Sequence, residues 1–265
     1  MRRFRYMHGT SFFHRMDPTW KLIWNVVVLL SLLFNFQVPY AVAWFVYTAC
    51  LALFLADITP RQYLRSISYF LGIALFILVW RVLYSPFEGT VLWSWGPIDV
   101  TREGITEGVA IFFRFLVLAT VTTIFTLTTD PGRMVESLVQ IARVPYRIGF
   151  AMYAALRFIP LFENEAQVIN NAHLIRGVGE TGRDPLSRLR LTSSLVVPLL
   201  VSGIRRARSA AIAMDSRCFG AYDRRTVLHP QQATPAALWF VLAHLAVGLA
   251  SFIYFFVLGH GVVYH

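Results

Sequence analysis

The chain has 265 residues, of which 57% are hydrophobic and only 14% charged, with a formal net charge of +10. Soluble domains carry roughly 25% charged residues, so a surface made mainly for water is excluded and lipid is the solvent this composition matches. The positive charge is almost all arginine, since Lys21 is the only lysine.

Arg2, Arg3, Arg5 and Arg15 precede the first apolar run, roughly Thr19–Asn35, and Lys21 stands at its edge. A basic start before an apolar stretch also describes a signal peptide. This run, however, is long enough to span and has no small-residue cleavage site at its end, so an uncleaved first span is expected. Four further runs suit a crossing of about 20 residues: Tyr40–Ala56, Ser68–Tyr84, Gly108–Thr128 and Ala236–Leu258. Backbone facing lipid has no water to bond, so each is expected to be helical.

The connections alternate in charge. The link at 36–40 is uncharged, the next holds Arg61 and Arg65 against Asp57, and the third sets Glu88, Asp99, Glu103 and Glu107 against Arg102. The stretch before the last span is rich in arginine, and the tail after it has no Lys or Arg. Positive charge collects on the cytoplasmic side, which predicts a multi-pass protein of the cell membrane with its N-terminus in the cytoplasm and its C-terminus outside. Arg81 lies near the outer end of the third span, where it can snorkel. Arg114 lies about two turns into the fourth, where a charge is costly, and an interhelical contact is the functional expectation for it.

Residues 129–235 form the long cytoplasmic segment, between a four-span region at 1–128 and a last span at 236–265. Pro131, Pro145, Pro160, Pro185, Pro198, Pro230 and Pro235 punctuate it. Proline favours helix starts and breaks helix interiors, which predicts short helices: from Pro131 to about Arg143, Tyr146 to Phe158, and Pro160 to Arg176, with Gly177 as C-cap. A loop at 177–185 follows, then a longer helix from Ser187 to Arg217 that Pro198 kinks or divides. Leu161, Val168, Ala172 and Ile175 recur at helical spacing, interrupted by Glu165, and Ile204, Ala207, Ala211 and Met214 form a second stripe. Leu195–Val201, bracketed by Arg190 and Arg205, is apolar but too short to span, so it belongs against the membrane or other helices. Each arm ends on arginine, as Ile175-Arg176-Gly177 and Ser216-Arg217-Cys218. An arginine there complements the helix dipole, or its forked cation reaches a partner's carboxylate. The pattern leaves both open.

Several chemistries are missing. There is no G-x-x-x-x-G-K-[ST], so any ATP is bound by another subunit, and no H-E-x-x-H or G-x-S-x-G. The seven histidines show no metal-ligand pairing, and Cys50 and Cys218 fall in different regions, so neither metal, cofactor nor disulfide is expected. No recognition module for nucleic acid accompanies the basic segment.

Ser11–Leu22 is SFFHRMDPTWKL, Thr126–Arg133 is TLTTDPGR, and Ala155–Phe162, containing Arg157 and Pro160, is ALRFIPLF. With these stretches the chain resembles the transmembrane coupling subunit (T component) of energy-coupling factor transporters, the ABC-type importers for vitamins and transition-metal ions. The first is similar to the family's Ser…His-Arg-Leu-Asp-Pro…Lys-Leu opening, the second to its exit from span four, and the third to its Leu-Arg-Phe-Ile-Pro-Leu motif. Arg176-Gly177 and Arg217 fall at its two Ala-Arg-Gly-type signatures, with Ile175, Ser216 and Cys218 departing from the pattern, and Arg225-Thr226 resembles the Arg-Thr after the second.

The resemblance implies an all-α polytopic protein of about five transmembrane helices with amphipathic coupling helices. It further implies that Arg176 and Arg217 dock two ATP-binding cassette ATPase subunits, while a separate membrane-embedded subunit binds the substrate. The chain itself would be no enzyme. A conventional ABC importer permease would line the substrate path, which the few polar residues in the spans disfavour. A membrane-embedded enzyme would need clustered polar groups.

Overall fold

A computed structural model describes residues 9, 11–33, 37–84, 90–95, 98–177, 185–222, 226–227 and 235–254; the side chains at 93–95, 98–99 and 185–192 are outside that description. The chain divides into two compact units, Met1–Ser137 with Gln231–His265, and Leu138–Pro230.

The first unit holds α1 (Phe12–Arg15), α2 (Pro18–Leu33), α3 (Val38–Cys50, continued by a π-helical turn Leu51–Leu55), α4 (Pro60–Leu83), a hairpin of β1 (Val91–Trp95) and β2 (Ile98–Thr101), α5 (Arg102–Thr128), the start of α6 (Pro131–Gln140), and α9 (Pro235–Phe252). Proline is the first residue of α2, α4, α6 and α9: it presets φ where a missing N–H costs nothing.

Among the described residues, four helices are long and apolar enough to cross a membrane: Val38–Leu55, Pro60–Leu83, Arg102–Thr128 and Pro235–Phe252. The expected first span is the shorter apolar helix α2, whose 16 residues rise about 24 Å. α5 is the hub, with Val117, Val121 and Ile124 almost fully buried. α3 and α4 flank it, and Tyr63 meets Thr120 at 3.0 Å. α2 lies on α9, where a Cβ at Gly248 would stand 3.1 Å from that of Ser31. Phe13, Trp24 and Phe240 pack ring to ring beside His244. His244 is a packed, hydrogen-bonded residue. Its Nδ1 donates to Phe240 O at 2.7 Å, so Nε2 accepts from the Tyr47 hydroxyl at 2.9 Å.

The hairpin was not foreseen. β1 and β2 pair antiparallel, Trp95 opposite Ile98, within the acidic link. Its signal was present: aromatic and β-branched residues flank Gly96-Pro97. Thr101 ends β2 and caps α5, its hydroxyl accepting from Gly104 N at 3.1 Å.

The second unit contains α7 (Tyr146–Ile175) and α8 (Pro185–Asp215). Here the predicted division at Pro160 is corrected: α7 is one 30-residue helix with Pro160 inside it, and α8 likewise runs through Pro198. Both prolines are exposed, so the carbonyl each leaves without an N–H partner is not sealed in a core. Packing on the opposite side continues past the proline, with the rings of Phe158 and Phe162 tilted against each other at 6.1 Å. Tertiary contact outweighs local propensity here.

Candidate functional site

The first two family-like stretches, separated by more than a hundred residues, meet in space. Lys21 is 2% exposed; its Nζ donates to Thr128 O at 2.8 Å and lies 3.4 and 3.3 Å from the hydroxyls of Thr128 and Thr129. Thr128 ends α5, so Lys21 serves the unpaired carbonyl at that helix's C-terminus. Thr19, on the same turn of α2, bonds Ser137 of α6 through both its N–H (3.3 Å) and its hydroxyl (2.7 Å). Asp130 opens α6 by accepting from Arg133 N at 3.0 Å, and Ser11 meets His14 at 2.6 Å. The DPTWK and TTDP sequences thus form one joint between α2, α5 and α6. Sequence reading placed Lys21 only at the edge of a span; a lone lysine beginning an apolar helix was the clue.

The third stretch builds the face of α7 that meets α8. Phe162 packs on Gly203 so closely that a Cβ there would lie 3.1 Å from the ring. One turn on, Glu165 accepts from the Ser202 hydroxyl and from Arg206 Nη2 at 2.9 Å. Ser202, then Arg206, hold the Glu165 carboxyl below its ordinary value, against the opposing effect of desolvation. The residue that interrupts the predicted stripe is therefore the polar clamp of the pair. Val168 and Ile175, assigned to that stripe, are 67% and 87% exposed. In α8, Ile204, Ala207 and Ala211 are exposed and only Met214 is partly covered. The seam lies elsewhere because it follows Phe162, Glu165, Ser202 and Arg206. Arg157 and Pro160 are exposed on α7.

The two arms end alike. Arg176 is the last residue before Gly177, which has φ +73° and donates its N–H to Leu174 O at 3.0 Å; the expected glycine C-cap is present. At the end of α8, Arg217 precedes Cys218 with φ +52°; Cys218 N–H reaches Asp215 O and Phe219 N–H reaches Met214 O, each at 3.0 Å. This is a Schellman cap. Both arginines hold the same position, immediately before a left-handed residue. Glycine adopts that conformation freely and cysteine does not. Among the described residues, neither guanidinium has a hydrogen-bond or ion-pair partner.

The arms are antiparallel. Phe219 packs edge-on against Tyr146 and at a tilt against Phe150 at the start of α7, and Arg147 Nη2 donates to Gly220 O at 2.9 Å. Arg217 lines a hollow of about 410 Å³ with Tyr146, Phe150, Met214 and Phe219. Arg176 lies at the other end of α7, whose 30 residues extend about 45 Å. The structure therefore separates the two arginines. Thr226 is exposed, and its neighbour Arg225 lies outside the described residues, as does most of the predicted loop at 177–185.

In the membrane unit Arg81 does not simply snorkel: Nη2 and Nε reach Glu107 Oε2 at 2.6 and 3.1 Å, joining α4 to α5. Arg114 is half-buried, two turns along α5 from Glu107 and attracted by its carboxylate.

A family model described as "Cobalt transport protein" matches residues 9–228. A relative from Streptococcus thermophilus, named energy-coupling factor transporter transmembrane protein EcfT, is 33% identical over 256 residues, covering 94% of this chain and 96% of its own. Relatives of the same name from Lactococcus lactis (30% identical, 84% and 85% covered) and Thermosediminibacter oceani (29% identical, 93% and 94% covered) are similar along nearly the same length.

Proposed function

The chain belongs to the cobalt transport protein family, and we propose from that premise that it is the transmembrane coupling component of an energy-coupling factor importer, docking two ATP-binding cassette subunits through Arg176 and Arg217. The observation that carries the reading is the repeated geometry of the arm ends. Two arginines, each in the cap of an α-helix and each without a partner among the described residues, stand about 45 Å apart along α7. One pocket does not reach both; two copies of one acidic groove, on two ATPase subunits, do.

Capping alone accounts for a cation at a helix end, but not for its apolar company. Ile175, beside Arg176, is 87% exposed, and Tyr222, beyond Arg217, is 79% exposed. An exposed apolar residue next to a forked cation suits a protein contact, in which the guanidinium pairs a carboxylate in fixed orientation. ATP is then bound and hydrolysed by the partners. Their motions pass into the α7–α8 pair, which Phe162, Gly203 and the Glu165 clamp make stiff, and from there to a separate membrane-embedded subunit that binds a vitamin or transition-metal ion. The orientation proposed has the N-terminus in the cytoplasm and the C-terminus outside, from the charge of the connections.

The test is the pair of substitutions Arg176→Ala and Arg217→Ala. Each alone is expected to weaken retention of the ATPase subunits on affinity-purified chain. Together they abolish transport while the substrate-binding subunit keeps its ligand. Wild-type uptake and ATPase retention by the double variant would refute the docking role.

A further inference from the structure

α8 has an apolar face where its partner helix is not. The residues it turns to α7 include Ser202, Gly203 and Arg206. Val197, Leu200, Val201 and Ile204 share the opposite face by helical spacing and are 51% to 65% exposed. Arg208 continues this face one turn on, with Arg205 at its margin, both exposed. Between Pro185 and Met214 the sequence has five arginines and no aspartate or glutamate. An apolar strip left bare in water forfeits its burial energy, so this face has an occupant.

The charge pattern identifies its chemistry. An apolar stripe bordered by cations, with no carboxylate on the same helix until Asp215, fits a surface that is apolar below and uniformly anionic above. That is a leaflet of anionic phospholipid. An amphipathic helix of this kind sinks its apolar face to the headgroup and acyl boundary, while arginine stems lie along the apolar layer and their guanidinium groups rise to the phosphates. We infer that the outward face of α8 seats in an anionic phospholipid surface through Val197, Leu200, Val201 and Ile204, with Arg205 and Arg208 holding lipid phosphates. This seat is separate from ATPase docking, since neither Arg176 nor Arg217 contributes to it.

The experiment uses the full chain with Cys50→Ser and Cys218→Ser, carrying one environment-sensitive label at Leu200→Cys or, off the stripe, at Ser209→Cys. The purified chain alone is reconstituted into phosphatidylcholine vesicles with or without phosphatidylglycerol. With phosphatidylglycerol, the label at 200 is expected to be quenched by lipid-attached nitroxide and shielded from aqueous iodide, while the label at 209 stays open to iodide. Arg205→Gln with Arg208→Gln lowers the ratio of seated to unseated helix about 30-fold, two surface cations' worth, in these vesicles only. Unchanged elution and helicity of that variant verify its fold. Iodide access at 200 in both lipid mixtures overturns the proposal, and so does seating indifferent to phosphatidylglycerol and to the arginines. Shielding that arises only when other transporter subunits are present overturns it too, assigning the face to a protein.

Discussion

Replacing Lys21 with methionine tests whether the joint between α2, α5 and α6 holds the membrane unit together. Methionine matches the length and apolar volume of the lysine stem, so the site, 2% exposed, stays filled. What is lost is the donor to Thr128 O at 2.8 Å and to the two threonine hydroxyls. The Thr128 hydroxyl donates to Ile124 O and needs no replacement donor. The Thr128 carbonyl has none: it closes α5, beyond the reach of the helix's own N–H groups. Leaving such a group buried and unpaired costs about 1–3 kcal/mol, and losing a favourable group at a helix C-terminus adds about 0.3–1 kcal/mol. A total of about 1–4 kcal/mol corresponds to a fall in midpoint of roughly 3–16 °C for a chain of this size. The assay is thermal unfolding of the detergent-purified protein, followed by a thiol-reactive dye or by the fraction eluting as monodisperse after heating. A midpoint within about 1 °C of wild type, on the scale of a few tenths of a kcal/mol, would show that the contact carries no weight.

Other consequences concern the two units separately. The Glu165 carboxyl is held below its ordinary value by Ser202 and Arg206, so its stabilising contribution is present above the unfolded value of 4.5 and is lost as pH falls through the lower folded value. Acid titration should therefore loosen the α7–α8 pair in wild type, and Glu165→Gln should remove that dependence, read as cross-linking yield between cysteines placed on the two helices. Gly177→Ala forces a Cβ into a backbone with φ +73° and is expected to cost about 1 kcal/mol. Cys218→Gly relieves the same strain at φ +52°, so the two changes should move thermal stability in opposite directions. Arg81→Met strands the Glu107 side chain, which is 10% exposed, and should cost about 2–3 kcal/mol. The double change with Glu107→Leu should recover much of that, as measured by a double-mutant thermal cycle.

Much of the framework was legible because lipid imposes a simple rule on sequence. A segment that crosses the bilayer is apolar for about 20 residues whatever its neighbours are, so α3, α4, α5 and α9 stood out directly. The cap at Gly177 was legible too, as was the junction sequence DPTWK beside TTDP, although nothing in either stretch says that they touch. The hairpin of β1 and β2 was less legible, because its strands have only five and four residues and lie in a link dominated by charge.

The sequence by itself determined that this is a polytopic helical membrane protein whose arms end on Arg176 and Arg217, since hydropathy, charge bias and cap residues act within a few turns of chain. Only the tertiary structure decided that α7 and α8 run through their prolines, that Glu165 faces Ser202 and Arg206 rather than solvent, that Lys21 closes α5, and that the two arginines stand at opposite ends of an antiparallel pair. The physical reason is common to all four. A hydrogen bond or a packed ring across two helices depends on which faces meet, and residues as far apart in sequence as Lys21 and Thr128 leave no local trace of that meeting. Local propensity is worth tenths of a kcal/mol to a few kcal/mol per residue, and contacts of this kind are large enough to override it.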